Sequence, residues 1–258
     1  MSNWNAEHYL KYGNERTRPA ADLVARIQLK APGTIADLGC GPGNSTQLLY
    51  DRWPDADVTG IDSSPEMLQT ARKNYPEHKW LVGDISQWTP DQPFDLLFSN
   101  AALQWLANHS QLVCRLFEFV SPHGALAFQV PSSTYATVRT LMHEVSREPE
   151  WNDRMSAPRA ALTMESPSHY YDALSGVAGS LDIWETEYSH VMNSTGAIVD
   201  WIASTGLRPF LDALDNDDER NDFCSRLRKG VDAAYAIRSD GKILLPFRRT
   251  FVIAYRGA

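Results

Sequence analysis

The sequence has little cysteine, no long apolar run and no cysteine pair at close spacing. Only three cysteines occur in 258 residues, and none form the CxxC pair that binds a metal or cycles as a redox couple. No apolar segment approaches the roughly 18 residues that cross a membrane, and the N-terminal residues lack the apolar core of a signal peptide. These absences favour a protein of the reducing cytoplasm, with no membrane partner and no disulfide framework.

Positive charge is also in short supply. Lys and Arg total 24 against 32 Asp and Glu, which gives a net charge of −8. A field of that sign repels phosphate backbones, so we expect no nucleic-acid partner. Apolar residues make up 43% of the chain, which is enough to build a core without metals or disulfides. No internal repeat or flexible linker is evident, and we expect one domain over residues 1–258.

Strands and helices alternate through the first half of the chain. Short apolar runs are separated by segments with helical apolar spacing, a pattern typical of right-handed βαβ units and a parallel sheet. The predicted strands are 34–38, 58–62, 80–84, 94–98 and 125–130, followed by two later strands at 182–192 and 247–255. The predicted organisation is an N-terminal lid at 1–30, a core at about 31–130 completed by the two later strands, and cap insertions at about 131–180 and 193–244.

A glycine-rich turn follows the first predicted strand. It reads Asp37-Leu38-Gly39-Cys40-Gly41-Pro42-Gly43, and glycines there let backbone N–H groups approach a ligand closely. The spacing is GxGxG with Asn44 next, which does not match the GxGxxG of dinucleotide sites. The carboxylate of Asp37 is expected to lie at the C-terminal end of the first strand, where it repels a pyrophosphate and attracts an ammonium group.

Two further acidic residues follow the next two strands. Asp62 ends the second strand and could accept hydrogen bonds from both hydroxyls of a ribose. Asp84-Ile85 follows the third strand, where an acid could accept a hydrogen bond from the amino group of an adenine. Open α/β sheets bind ligands at these strand ends. S-adenosylmethionine carries an ammonium, a sulfonium, a ribose and an adenine but no phosphate, so it fits the three acids better than a dinucleotide does.

These motifs resemble the class I S-adenosylmethionine-dependent methyltransferases over about residues 30–130. The resemblance implies an α/β fold: a three-layer, Rossmann-like seven-stranded sheet of order 3-2-1-4-5-7-6 with strand 7 antiparallel, here carrying helical cap insertions. Combined with the motif positions, it assigns S-adenosylmethionine binding to the following residues: Asp37, Gly39, Cys40, Gly41, Gly43, Asp62, Ser63, Met67, Asp84, Ile85, Asn100, Ala101 and Trp105. At Cys40 the backbone, and not the thiol, is expected to matter.

A closer resemblance within that superfamily spans nearly the whole chain. The segments that carry it are Met1–Asn5, Glu15–Ala20, Gly60–Met67, Ser99–Trp105, Ala203–Pro209 and Ile243–Phe247. They are similar to the family of trans-aconitate methyltransferases, which implies transfer of a methyl group to one carboxylate of a small anionic acid. Three alternatives stay open: another small acid such as an isopropylmalate-like dicarboxylate, another small nucleophile, and a non-catalytic S-adenosylmethionine-binding protein.

A carboxylate acceptor has consequences for the site. It is ionised at neutral pH and needs no general base, so we predict no catalytic acid–base residue and no metal. An anionic substrate needs arginines, and the preferred candidates are Arg16, Arg18 and Arg154, with Trp105 beside the reacting group. Arg147, Arg159, Arg248 and Arg249 are further candidates; the last two are adjacent in a strand and face opposite sides, so at most one serves.

Overall fold

The computed structural model describes residues 13–132, 137–203 and 205–258, with side chains described from Thr17 onward in the first helix. Seven strands form one sheet in the order β3-β2-β1-β4-β5-β7-β6. Their bounds are Thr34–Leu38 (β1), Asp57–Asp62 (β2), Lys79–Val82 (β3), Phe94–Asn100 (β4), Val120–Pro131 (β5), Ser180–Met192 (β6) and Ile243–Tyr255 (β7). Strand β7 runs antiparallel to both β5 and β6, and the remaining pairs are parallel.

Ten α-helices and two short 3₁₀ turns, Leu103–Trp105 and Asn152–Arg154, accompany the sheet within the described residues. The helices are Gly13–Arg26 (α1), Asn44–Arg52 (α2), Pro65–Asn74 (α3), His109–Glu118 (α4), Thr137–Val145 (α5), Ser156–Ala160 (α6), Pro167–Leu174 (α7), Thr195–Ala203 (α8), Arg208–Asp212 (α9) and Asp217–Ala234 (α10). The 3₁₀ turn Leu103–Trp105, which follows β4, is called the ledge below.

The central strands are buried on both faces because their side chains alternate between two apolar clusters. On β1, Ile35 packs with α1 and α2, whereas Ala36 and Leu38 pack on the opposite face with α4. On β4, Phe98 belongs to the first cluster and Leu97 to the second. Fully covered strands are rich in apolar residues without strict alternation, which is the pattern that the sequence shows at 34–38 and 94–98, each interrupted by one Asp.

A third apolar cluster forms the cap, defined here as helices α5, α6, α8, α9 and α10. Its buried side chains include Met142, Trp201, Phe210, Phe223 and Leu227, and the ends of β6 and β7 contribute to the same cluster. Both stretches predicted as insertions therefore share one core. Helix α7 is different, because Tyr170 and Leu174 pack against the sheet and not against the cap.

The predicted fold class and strand order are confirmed. Strand β3 ends at Val82, so Asp84 lies in the turn that follows instead of in the strand. The acidic run at 215–222 supplies the first turn of α10, where Asn216 accepts a hydrogen bond from the backbone of Glu219 and carboxylates favour the positive helix end. The first 12 residues of the predicted lid lie outside the described residues.

Candidate functional site

The glycine turn after β1 is held by the neighbouring strand. The backbone N–H groups of Gly39 and Cys40 both donate to the carbonyl oxygen of Ile61, at 2.7 and 3.1 Å. Gly39 has φ +73°, and a Cβ there would lie 2.2 Å from the Cβ of Ala102. Gly41 has φ +54° and faces open space, with nothing within 4 Å of a Cβ placed on it. The turn thus packs tightly on one side and leaves its backbone accessible on the other.

Asp62 at the end of β2 braces this turn. One carboxylate oxygen accepts from the Gly41 N–H at 2.9 Å, and the other accepts from the Ser64 N–H at 2.8 Å. Burial raises the pKa of this carboxyl, and the backbone donors oppose that effect. A carboxylate has about four lone-pair sites, so both oxygens keep capacity for a ligand's hydroxyl groups.

Asp37 does not reach the protein surface, although we predicted that its carboxylate would be accessible to a ligand at the C-terminal end of β1. Its side chain is 0% exposed, and one oxygen accepts from the hydroxyls of Ser45 and Thr46 at 2.7 and 2.6 Å. These two residues open α2, so the carboxylate is drawn beneath the turn. The other oxygen, Oδ1, is buried with no hydrogen-bond partner among the described residues. Burial raises the pKa of Asp37 to about 6, and a nearby ammonium group is the kind of partner that would compensate such an oxygen.

A cleft opens on the exposed side of the turn, and we call it the turn cleft. The predicted cofactor residues that line it are Gly39, Gly41, Asp62, Ser63, Met67, Asp84, Ile85, Asn100, Ala101 and Trp105. Asp37, Gly43 and Cys40 do not line it. Cys40 is 3% exposed, and burial raises the pKa of its thiol well above the usual range, so that thiol is inert.

The cap also reaches the turn cleft, which the sequence did not indicate. Arg208 and Asp212 of α9 line the cleft and pair with each other, with 3.6 Å between Nε and Oδ2. Asp84 stays exposed, and one of its oxygens accepts from the backbone and hydroxyl of Ser86. The acid predicted to face an adenine is therefore held in place while its second oxygen remains available.

A second cavity lies between the sheet and the cap, and we call it the cap cavity. Its apolar wall comes mainly from Met142, Leu162, Met164 and Trp201. Three residues, Asn100, Ala101 and Trp105, line both this cavity and the turn cleft. These three residues form the boundary between the two spaces, which we call the junction. A ligand in the turn cleft and a ligand in the cap cavity would contact each other there.

Main-chain strain and two glutamines fix the junction. Ala101 has φ +54°, a conformation that a residue with a Cβ seldom adopts outside functional sites. The Gln104 amide donates to the Ala101 carbonyl at 2.6 Å, and the Gln129 amide donates to the Asn100 side-chain oxygen at 2.6 Å. Sequence reasoning missed both glutamines; only the proximity of Gln104 to Trp105 in the chain could have indicated one of them.

The arginines of the cap cavity differ from the preferred candidates. Arg139 on α5 is half-buried, and its Nε lies 3.5 Å from the ring of His143. Burial lowers the pKa of Arg139, and no carboxylate pairs with it among the described residues. Arg249 on β7 is 7% exposed, and its guanidinium lies 4.3 Å from the ring centre of Phe247. Together with Arg248, these side chains bring positive charge to a cavity whose wall is otherwise mainly apolar.

Arg248 and Arg249 are neighbours on β7, and both line the cap cavity. Arg248 pairs with Glu187 at 3.2 Å and with Glu185 at 3.9 Å, so its charge is compensated. Arg249 is the buried member of the two. Arg249, which is buried in the wall of the cavity, is the candidate for a substrate anion considered below, and the expectation that at most one of the two serves stays a prediction.

The structure brings neither Arg18 nor Arg154, two of the three preferred arginines, to either space. Arg154 forms a two-pronged ion pair with Glu219 and a second pair with Asp215 at 2.7 Å, which ties the two insertions together on the outside of the cap. Arg18 is exposed and stacks 5.1 Å from the ring centre of Tyr188. The side chain of Arg16 lies outside the described part of the structure.

Two features are absent from the part of the chain that the structure describes. No group of three or more His, Cys, Asp or Glu side chains there is placed to hold a metal ion. No helix in the same residues combines the length and apolar character that crossing a membrane requires.

Comparison with known proteins identifies the family of this chain. A family model described as a methyltransferase domain matches residues 35–124. A trans-aconitate 2-methyltransferase of Azoarcus sp. (strain BH72) is 44% identical over 256 residues, covering 99% of this chain and 100% of the relative. The chain belongs to the trans-aconitate 2-methyltransferase family. A second member, from Rhodopseudomonas palustris (strain HaA2), is 44% identical over 257 residues, covering 99% of this chain and 100% of that protein.

Solved structures agree with the fold of this family. A putative methyltransferase from Bacillus halodurans aligns with a TM-score of 0.62 at 13% identity, covering 93% of this chain and 100% of that one. The YcgJ protein from Bacillus subtilis aligns with a TM-score of 0.60 at 12% identity, covering 93% and 99%. As a member of the trans-aconitate 2-methyltransferase family, this chain is an S-adenosylmethionine-dependent methyltransferase.

The turn cleft fits that cofactor. It combines an open glycine backbone, two carboxylates at strand ends and, beneath the turn, a buried carboxylate oxygen without a partner among the described residues. A phosphate would meet three acidic side chains here, whereas an ammonium and a ribose would each find acceptors.

Proposed function

We propose that this enzyme transfers the methyl group of S-adenosylmethionine to one carboxylate of trans-aconitate and forms its monomethyl ester. The observation that carries the proposal is the placement of Arg139 and Arg249 in a cavity that shares Asn100, Ala101 and Trp105 with the turn cleft. The names of the full-length relatives support the same acceptor.

Charge explains why a cavity for an anionic acid needs arginines. The chain carries a net charge of −8, so an acid with three carboxylates is repelled until it meets local positive charge. Arg139 and Arg249 are proposed to bind the two carboxylates that do not react, because a guanidinium matches a carboxylate with paired hydrogen bonds. The third carboxylate then lies at the junction.

The cofactor is proposed to bind along the turn cleft. Asp62 would accept from the ribose hydroxyls, Asp84 and Ile85 would flank the adenine, and Gly41 would present its open backbone to the methionine end. Asp37 would act on the ammonium group from beneath the turn. When bound, S-adenosylmethionine supplies a methyl carbon on a sulfonium, whose C–S bond breaks as the bond to the carboxylate oxygen forms.

The protein's own part in the reaction is positioning. The acceptor carboxylate is ionised at neutral pH, so no side chain has to remove a proton. The arginines orient the acid, and Asn100 and Ala101 set the width of the junction. The Trp105 ring presents an aromatic face to the sulfonium and excludes water.

The apolar wall of the cap cavity favours a second candidate acceptor. Met142, Leu162 and Met164 could cover an alkyl group that trans-aconitate does not have. An isopropylmalate-like dicarboxylate carries such a group and still presents two carboxylates to the arginines.

We also propose a cytoplasmic location, supported by cysteines that remain free thiols in the fold.

The test is methyl transfer from labelled S-adenosylmethionine to a panel of acceptors. The panel contains trans-aconitate, cis-aconitate, citrate, isopropylmalate and a neutral phenol. We expect saturable labelling of trans-aconitate above all others, with the label released as methanol by mild alkali, as an ester requires. A higher kcat/KM for isopropylmalate would transfer the proposal to the second candidate, and cofactor binding without labelling of any acid would refute both.

A further inference from the structure

A buried histidine–tyrosine pair links the ledge to helix α7. His109 is 1% exposed and Tyr170 is 0% exposed. The His109 Nε2 atom lies 2.9 Å from the Leu103 carbonyl oxygen, and Nδ1 lies 2.7 Å from the Tyr170 hydroxyl. A carbonyl only accepts, so Nε2 carries the hydrogen and Nδ1 accepts from Tyr170. Burial lowers the pKa of His109, which keeps the ring in the neutral form that this arrangement needs.

The ledge that this pair holds belongs to the site. Gln104 lines the cap cavity, and Trp105 lines both the cap cavity and the turn cleft. A second bond attaches the same ledge to the chain leading into α7, because the Thr163 N–H donates to the Gln104 carbonyl at 2.8 Å. The position of Trp105 at the junction thus depends on hydrogen bonds from His109 and Thr163, neither of which lines the cap cavity or the turn cleft.

We propose that His109 and Tyr170 are positioning residues for methyl transfer. Their hydrogen bonds fix the ledge and thereby the distance and alignment of the two groups that react across the junction. In-line transfer between two bound molecules is sensitive to displacements of about 1 Å, which can cost on the order of a hundredfold in rate. The inference rests on methyl transfer at the junction, as proposed above, and holds for any acceptor acid.

Other contacts keep α7 on the sheet when the Tyr170 hydroxyl is removed. The Ser110 hydroxyl lies 2.9 Å from the His169 ring, and the Cys114 thiol lies 3.2 Å from the Ala173 carbonyl. The ring of Tyr170 packs edge-on against Phe128 with 5.1 Å between ring centres. A phenylalanine at 170 preserves that packing and removes the hydroxyl alone.

The experiment compares Tyr170→Phe with Tyr171→Phe, the matched control. Tyr171 is the neighbouring tyrosine and is 56% exposed. For each variant we would measure kcat, KM, the Kd of S-adenosylmethionine and the thermal midpoint. We expect kcat to fall about tenfold or more in Tyr170→Phe, as an order-of-magnitude consequence of misalignment. The cofactor Kd should stay within about twofold, and all values of the control should remain near those of the wild type.

A double variant separates positioning from stability. In His109→Leu/Tyr170→Phe no polar atom of the pair is left buried without a partner, and the Leu103 carbonyl keeps its bond from the Leu106 N–H at 2.9 Å. We expect the thermal midpoint to recover relative to Tyr170→Phe while kcat stays low. Recovery of kcat together with the thermal midpoint, or a wild-type kcat in Tyr170→Phe, would overturn the inference.

Hydrogen exchange gives a readout that does not depend on the acceptor. The amides of residues 103–106 should exchange faster in Tyr170→Phe than in Tyr171→Phe, because the ledge loses its brace. Unchanged exchange there would overturn the inference even if the acid panel failed to yield a product. A faster exchange combined with no labelled acid would count against the proposed acceptor and not against the brace.

Discussion

Replacing Arg139 by Gln removes the charge that we assign to a non-reacting carboxylate of the substrate. Gln keeps a polar, unbranched side chain of similar helix propensity, so α5 should form normally. Arg139 has no carboxylate partner among the described residues, and its loss therefore leaves no buried anion unpaired. The expected defect is confined to binding and orientation of the acid.

The size of the defect follows from the geometry. Two unit charges 4 Å apart interact by about 4 kcal/mol at an effective dielectric constant of about 20, and measured hydrogen bonds to charged groups contribute about 1.5–3 kcal/mol. Arg139 is half-buried, so water screens part of its charge. We take about 2 kcal/mol, which corresponds to a loss of about 30-fold in kcat/KM for trans-aconitate.

The assay is initial-rate methyl transfer at saturating S-adenosylmethionine, with Arg147→Gln as the control. Arg147 follows the same helix, is exposed and does not line the cap cavity. We expect Arg139→Gln to lose activity while Arg147→Gln stays within about twofold and both keep the cofactor Kd of the wild type. Equal losses in the two variants, or no loss in either, would refute the assignment of Arg139 to the substrate.

Four further predictions concern the glycine turn and the turn cleft. Asp62→Ala should weaken S-adenosylmethionine binding by about 1–3 kcal/mol in calorimetry, because ribose hydroxyls lose their acceptors; unchanged affinity would contradict the cofactor placement. Burial raises the pKa of Asp37 to about 6, so the cofactor Kd should increase as the pH falls through about 6 in the wild type but not in Asp37→Asn. In the cofactor-free protein, ionised Asp37 lowers the free energy of unfolding, because its raised pKa means that the native state binds the proton more tightly than the unfolded chain does. Asp37→Asn should therefore raise the free energy of unfolding by up to about 3 kcal/mol above pH 6, and urea titrations should show that gain vanishing below about pH 4. Cys40→Ala should change the cofactor Kd and kcat by less than about twofold, and a larger change would give the thiol a role that its burial denies it.

Most of the fold could be predicted because the decisive signals are local. The runs at 34–38 and 94–98 are covered on both faces, and such strands are rich in apolar residues without strict alternation. The residues Ala20, Leu23, Val24 and Ile27 repeat at helical spacing and all pack against the sheet. The glycine turn and Asp62 could be predicted for the same reason, since the turn follows β1 directly and Asp62 is the last residue of β2.

The substrate side could not be predicted, because its residues come together only when the cap folds. Arg139 and Arg249 are 110 positions apart (249 − 139) and meet across the cap cavity. Arg154 was misleading for the same reason, since its partners Asp215 and Glu219 lie on the other insertion. A single sequence does not show which arginines are already neutralised by distant acids.

In the proposed complex, Arg139 and Arg249 hold the two carboxylates that do not react, and the third carboxylate meets the methyl donor at Asn100, Ala101 and Trp105. The measurement that tests it most directly is a crystal structure with S-adenosylhomocysteine and trans-aconitate bound together. We predict two carboxylates within hydrogen-bond distance of Arg139 and Arg249, and the third at the junction, about 3–4 Å from the position of the transferred methyl carbon. Trans-aconitate bound away from the junction, or held by neither arginine, would contradict the claim.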